Sequence, residues 1–293
     1  DAQTTVQNAT LLVRQGKIMA VGNNIAIPKD AVIIDCSGKF IYPAFIDIYS
    51  DYGITVANAQ QQNFTSAAAF FRTQQLTSGT KGAYGWNQAL KPETEAYKIF
   101  TADEAKAKAL RDIGFGSVLT HQKDGIARGS GAFVTLAAQP DNFVILKDKA
   151  SAHYSFSKGS SSQSYPGSMM GMIALLRQTY LDAQWYKTNP VTEGVNLSLK
   201  NWNDNQSLPQ IFEANDKWND LRADKIGDEF GVQYIIKGGG NEYQRIKEIT
   251  DSKASFILSL NYPAAMDVDD PNYLRFVGLD DMKHWELAPS NPA

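Results

Sequence analysis

One cysteine in 293 residues excludes any disulfide within the chain. Cys36 closes the apolar run AVIID, with neither a base nor a helix start beside it, so a small buried apolar role fits it better than a nucleophilic one. Histidine is almost as scarce. His121, His153 and His284 stand alone, with no HxH or HxxxH partner to present two nitrogens on one face. Positive charge is not in excess either, because 28 Lys and Arg face 31 Asp and Glu. Without a basic stripe to neutralise phosphates, nucleic-acid binding is excluded. No apolar run reaches the length of a transmembrane segment. The N-terminal DAQTTVQNATLLV lacks the basic start and apolar core of a signal peptide. A mature exported chain would read the same way, so this soluble chain belongs either to the cytoplasm or to the periplasm. The GxSxG, GxGxxG and Walker patterns are all missing, and Gly238-Gly239-Gly240 alone does not make a phosphate cradle.

What is present is an ordinary globular composition, 43% hydrophobic and 20% charged. The N-terminal part reads as short antiparallel strands. LLVRQGKIMAVG holds two apolar runs around the turn pair Gln15-Gly16, and AVIIDCSGKFIYP repeats the arrangement around Ser37-Gly38. Further on, TADEAKAKALRDIG predicts a helix capped by Thr101, with Glu104 in the capping-box position and Gly114 as the stop. FGSVLTH follows it as a strand. Late in the chain, strands centred on Ile211, Ile235 and Ile257 alternate with helices over DKWNDLRADKIGDEFG and NEYQRIKEITDSK. This is βα grammar, which places any active site at the C-terminal strand ends.

Between these parts, SFSKGSSSQSYPGS reads as a surface loop, with a lid over the strand ends as its functional alternative. Ser168 after it reads as an N-cap of the helix MMGMIALLRQTYLDAQWY. VNLSLKNWNDNQSLP reads as a polar loop, HQKDGIARGSGAF with Lys123 and Arg128 as a solvated one with anion binding as its functional alternative, and His153 and His284 as loop residues without a role.

The segment KFIYPAFIDIYSDYGI carries a more specific signal. It resembles the first-strand motif of the amidohydrolase superfamily, GxxxxPGFIDxHxH, keeping Gly38, Pro43, Phe45, Ile46 and Asp47. Tyr49 and Asp51 stand where that family has its two metal-binding histidines. The imidazolonepropionase-like members also place histidines on their fifth and sixth strands, and IFEAN and IIKGGG align there with Phe212 and Gly238. The resemblance implies an α/β fold of the TIM (β/α)8 type over 43–293, preceded by a small β-sandwich portion over 1–42. The last strand and its aspartate have no match before Ala293, so an incomplete barrel is expected.

Phenylalanine and glycine offer no side-chain lone pair, and zinc needs three or more ligands from His, Asp, Glu or Cys. No metal or other cofactor is therefore expected, and no catalytic residue is assigned. Asp47 and His121 are candidate pocket residues. Two functional readings follow from the resemblance. In one, the chain has lost metal-dependent hydrolysis and serves as a binding or assembly subunit with a protein partner or a second copy of itself. In the other, zinc or another divalent metal is held by substitute ligands or a partner half, and the chain hydrolyses C–N bonds of amides or cyclic amides.

Overall fold

The computed structural model describes residues 5–55, 78, 82–189, 194–260, 269–270 and 272–287. The chain divides into two compact units, Asp1–Pro43 and Ala44–Ala293. In the first, β1 (Thr10–Arg14) and β2 (Lys17–Gly22) pair antiparallel. Gln15 and Gly16, at φ 50° and 73°, form the turn, whose left-handed backbone matches the twist of a tight hairpin. The second expected hairpin does not form. Residues 31–42 contain no strand, although Ser37 does turn back onto the Asp35 carboxylate, its N–H donating at 2.9 Å. Val32, Ile33 and Ile34 remain 90%, 73% and 79% exposed, and Cys36, expected buried, is exposed with them, because apolar runs become strands only where a neighbour satisfies their backbone groups.

The second unit is built on a seven-stranded sheet in the order β3-β4-β5-β6-β7-β8-β9. Its strands are β3 (Phe45–Ser50), β4 (Phe115–Thr120), β5 (Ala127–Thr135), β6 (Ile145–Ser155), β7 (Gln210–Glu213), β8 (Tyr234–Lys237) and β9 (Ser255–Ile257). All pairings are parallel except those of β5, which runs against both β4 and β6. The first residues of β5 therefore lie at the same rim as the last residues of its neighbours. Among the described residues β3 and β9 form the two edges.

Helices α1 (Ala96–Ile99), α2 (Glu104–Asp112), α3 (Asp141–Val144), α4 (Met169–Thr188), α5 (Leu197–Asn205), α6 (Lys217–Phe230), α7 (Ile246–Ser252) and α8 (Leu279–Leu287) connect and flank the sheet. The cap of α2 is Asp103 rather than Thr101, since its carboxylate reaches the N–H of Lys106. Ser168 caps α4, accepting from Gly171, and Gly231 ends α6 in the left-handed conformation at φ 68°.

Four segments expected as loops are ordered elements. VNLSLKNWNDN contains α5, which Asn196 caps and fully buried Trp202 anchors in the core. GIARGSGAF is β5, with Arg128 only 4% exposed. His153 lies within β6, 1% exposed, and His284 belongs to α8. The Ser-rich segment keeps no regular structure but is tied down. Gln163 is fully buried, its Oε1 accepting from the Gln88 N–H at 2.6 Å and its Nε2 donating to the Trp86 carbonyl at 3.1 Å.

Two apolar clusters hold this unit. One joins β6, β7 and β8 to α4, α5 and α6 through Tyr154, Phe212, Tyr234, Leu175, Leu176, Trp202 and Ile226. The other packs Tyr52, Phe100, Val118, Val134 and Leu136 around β4 and β5.

Candidate functional site

Alternation along each strand decides what faces the rim. On β7, Phe212 turns outward, where Tyr154, Phe156 and Tyr234 surround its ring. The next residue, Glu213, turns to the other side. On β6, Ala152 and Tyr154 join the outer core, leaving Ser151 and His153 on the opposite face, where a hydroxyl and ring nitrogen lie 2.7 Å apart. β5 makes room for this face with Gly131, where an added Cβ would come within 2.7 Å of both His153 Nε2 and Ser151 Oγ.

Arg128 is the centre of the resulting cluster. Its Nη1 donates to the Tyr49 hydroxyl at 2.8 Å, its Nη2 lies 2.7 Å from Glu213 Oε2, and its Nε donates to the Gly125 carbonyl at 3.1 Å. The Tyr49 ring sits 4.8 Å from that of His121, and His121 stacks on His153 with centroids 3.5 Å apart and planes 5° from parallel. Lys123 and Lys237 approach the Tyr49 ring, their Nζ atoms 4.9 and 5.6 Å from its centroid. Lys123 also meets Asp51 at 3.6 Å, and Lys237 donates to Asn215.

Charge states follow from this packing. Burial, the dominant cause, drives His121 well below the usual imidazole range, helped by His153, Arg128 and Lys123. His153 is depressed in the same direction by burial, Arg128 and Lys123. Both rings are therefore neutral near pH 7, and His121 Nδ1 and Nε2 and His153 Nδ1 have no hydrogen-bond partner among the described residues. Tyr49 is pushed up chiefly by burial, against the opposing pull of Arg128, and stays a neutral phenol. Burial opposes ionisation of Glu213, yet Arg128 and hydrogen bonds from Asn215 and Tyr49 outweigh it and hold the carboxyl below its ordinary range.

The candidate positions divide accordingly. Tyr49 and His121 belong to the cluster, and Asp51 lies half-exposed at its mouth. Asp47 accepts from the Tyr49 N–H at 2.9 Å, fixing the local backbone. Phe212 and Gly238 do not join. The neighbour of Phe212, Glu213, and that of Gly238, Lys237, are the rim residues, so an alignment one residue out exchanges the two faces of a strand. Gly239 and Gly240 spend their N–H groups on the buried Glu242 carboxylate, at 2.5 and 3.0 Å, which removes them as a phosphate cradle. Glu213 and Lys237 escaped the sequence reading, and Arg128 and His153 entered it only as loop residues. The period-two pattern of SAHYS, small polar residues alternating with Ala152 and Tyr154, was the available signal for His153.

This donor set does not suit a metal ion. Among the described residues, no three His, Cys, Asp or Glu side chains come together in a group able to hold one. Stacked parallel imidazoles direct their in-plane lone pairs side by side, the phenol keeps its proton, and Glu213 is committed to a guanidinium. No helix among the described residues is long and apolar enough to cross a membrane.

No family model matches the chain. A stretch of 127 residues, 42% of the chain, is 28% identical to a D-hydantoinase from Geobacillus stearothermophilus, spanning 26% of that protein's length. The fold is that of an amidohydrolase from Thermotoga maritima, which superposes with a TM-score of 0.64 at 20% identity, over 95% of this chain and 71% of the other. The first is a likeness over one stretch of sequence and the second a likeness of fold.

Proposed function

We propose that this chain is an amidohydrolase-type protein in which metal-dependent hydrolysis has given way to a binding or assembly role. One observation carries the reading. The strand-end rim, where a barrel enzyme of this class keeps its chemistry, is occupied by a buried Arg128–Glu213 pair with Tyr49 hydrogen-bonded into it. A general base would have to be found among two neutral buried imidazoles, and side chains able to hold a metal that lowers a water's pKa from about 16 to about 7 do not come together among the described residues. In this reading residues 43–293 form the barrel portion and residues 1–42 a β-sandwich portion. The partner is another protein or a second copy of the chain. Apolar exposure on β3, with Phe45 at 65% and Ile46 at 53%, favours such contacts.

The test is metal content after dialysis, alongside hydrolysis of amides and cyclic amides. The expected result is no stoichiometric metal and no turnover. Stoichiometric zinc or manganese, with turnover lost in Asp51→Ala, would replace this reading with that of a hydrolase using substitute ligands.

A further inference from the structure

We propose that the Arg128 guanidinium is the resident cation of the strand-end site, joining its strands as a metal centre would and closing it to divalent ions. The proposal deepens the non-catalytic reading by naming what stands where the chemistry would be.

The geometry is that of a three-way connector. Nη1 reaches Tyr49 on β3, Nη2 reaches Glu213 on β7, and Nε reaches the Gly125 carbonyl in the turn before β5. Only a guanidinium offers a planar fork with donors in these directions. An ammonium is a point charge that serves fewer partners at fixed angles. Arg128 is 4% exposed, and a charge so buried persists only when paired and hydrogen-bonded.

The buried surroundings are matched to one positive charge, while Lys237 at the rim donates to the uncharged Asn215. Among the described residues Glu213 supplies the single carboxylate paired with Arg128, Tyr49 is a neutral phenol, and His121 and His153 are neutral imidazoles whose 3.5 Å stacking would be repulsive if both were charged. Lys123 at the mouth is balanced by Asp51. Past Asp51 at the mouth, a divalent ion entering here would meet a guanidinium and, among the described residues, one carboxylate that is already engaged. It would have to displace Arg128, leaving that charge buried without a partner.

The test compares the wild-type chain with Arg128→Met and Arg128→Lys in three measurements. These are zinc titration by calorimetry, thermal unfolding, and histidine-ring NMR against pH. The wild type is expected to show no saturable zinc binding and to keep His121 and His153 neutral well below the pH at which a free imidazole titrates. In Arg128→Met the melting temperature should fall by more than about 5 °C, since Glu213 is left buried and unpaired. Both histidines should also titrate at higher pH, with about a tenfold gain in proton affinity. Arg128→Lys keeps the charge but not the fork, and should recover the histidine titration more fully than the melting temperature. If Arg128→Met fails to fold, the lysine variant and the wild-type titration still decide. One zinc bound per wild-type chain would overturn the proposal. So would an Arg128 variant with unchanged melting and unchanged histidine titration. Turnover by a metal-free wild type would instead overturn the non-catalytic reading and leave the resident cation standing.

Discussion

Phe212 and Glu213 are consecutive residues of one strand, yet they obey different physics. On the outer face of β6 to β8, rings fill volume. Phe212 lies 4.6 Å from Phe156 and 5.1 Å from Tyr234 by ring centroids, and Trp202 is wholly buried behind them. On the inner face, Arg128, Glu213, Tyr49 and the stacked histidines hold together by pairing and charge state. The outer face should respond to lost volume and ignore pH, and the inner face should do the reverse. That difference separates the part that makes the fold from the part that gives the rim its character.

The largest effect is expected from Phe212→Ala, which leaves a cavity among aromatic rings. It should destabilise the chain by about 3–5 kcal/mol in urea denaturation, with no change in the histidine NMR titration. An altered titration would mean that the two faces are coupled. Next, Glu213→Gln keeps shape but removes the charge that answers Arg128, and should cost about 2 kcal/mol. Unlike Phe212→Ala, it should raise the cost of burying the guanidinium, so added salt or small anions should alter its stability more than that of the wild type.

Acid should act on the inner face in a definite direction. His121 and His153 are depressed below 6.5 in the fold, so the unfolded chain binds protons first. The stability they contribute is present above about pH 6.5 and is lost as pH falls below it. Asp220 on α6 has the opposite sign. Burial first, then Glu242 and Asp216, push it from 3.8 to about 8, so its folded form retains a proton that the unfolded chain releases. Its contribution is full below about pH 4 and is lost as pH rises towards 8. Asp220→Asn should therefore remove a decline that runs from about pH 4 to about pH 8 in thermal melts, flattening the curve above pH 6.5 and steepening the rise that the histidines impose below it. The smallest effect is expected at a helix end distant from both faces. Asp103→Ala removes the cap of α2 and should cost about 1 kcal/mol by thermal melting.

The sequence spoke most clearly where a single element satisfied a single rule. β7, α6 and β8 were legible because apolar runs of strand length alternate with a capped helix ending at Gly231. β4 was legible for the same reason. α5 was not, because LSLKNWNDN carries three asparagines or aspartates within one turn of its end, and tertiary contacts decide its state. Trp202 is buried, and the Ser198 hydroxyl donates to Glu93 at 2.8 Å. AVIID failed in the opposite way, having strand composition without a partner strand among the described residues. At the site, Tyr49 and His121 were visible because a motif and a strand end pointed at them. Arg128 was hidden by its glycine neighbours, which suggest a loop until the bulk of His153 against Gly131 is known. Glu213 was missed by one position, the smallest error a strand permits and one that exchanges a core ring for a rim carboxylate.

The reversal of β5 has a consequence for how such a rim changes over time. A rim made only of parallel strands draws its residues from units scattered along the chain, and altering its chemistry needs several separate changes. Here a hairpin turned back on itself delivers its first residues to the rim, so His121, Lys123, Arg128 and His153 all come from the stretch between β4 and the end of β6. Much of the site is thus inherited as one contiguous piece. A single insertion or exchange of that piece would install or erase its character while the surrounding scaffold stayed as it was.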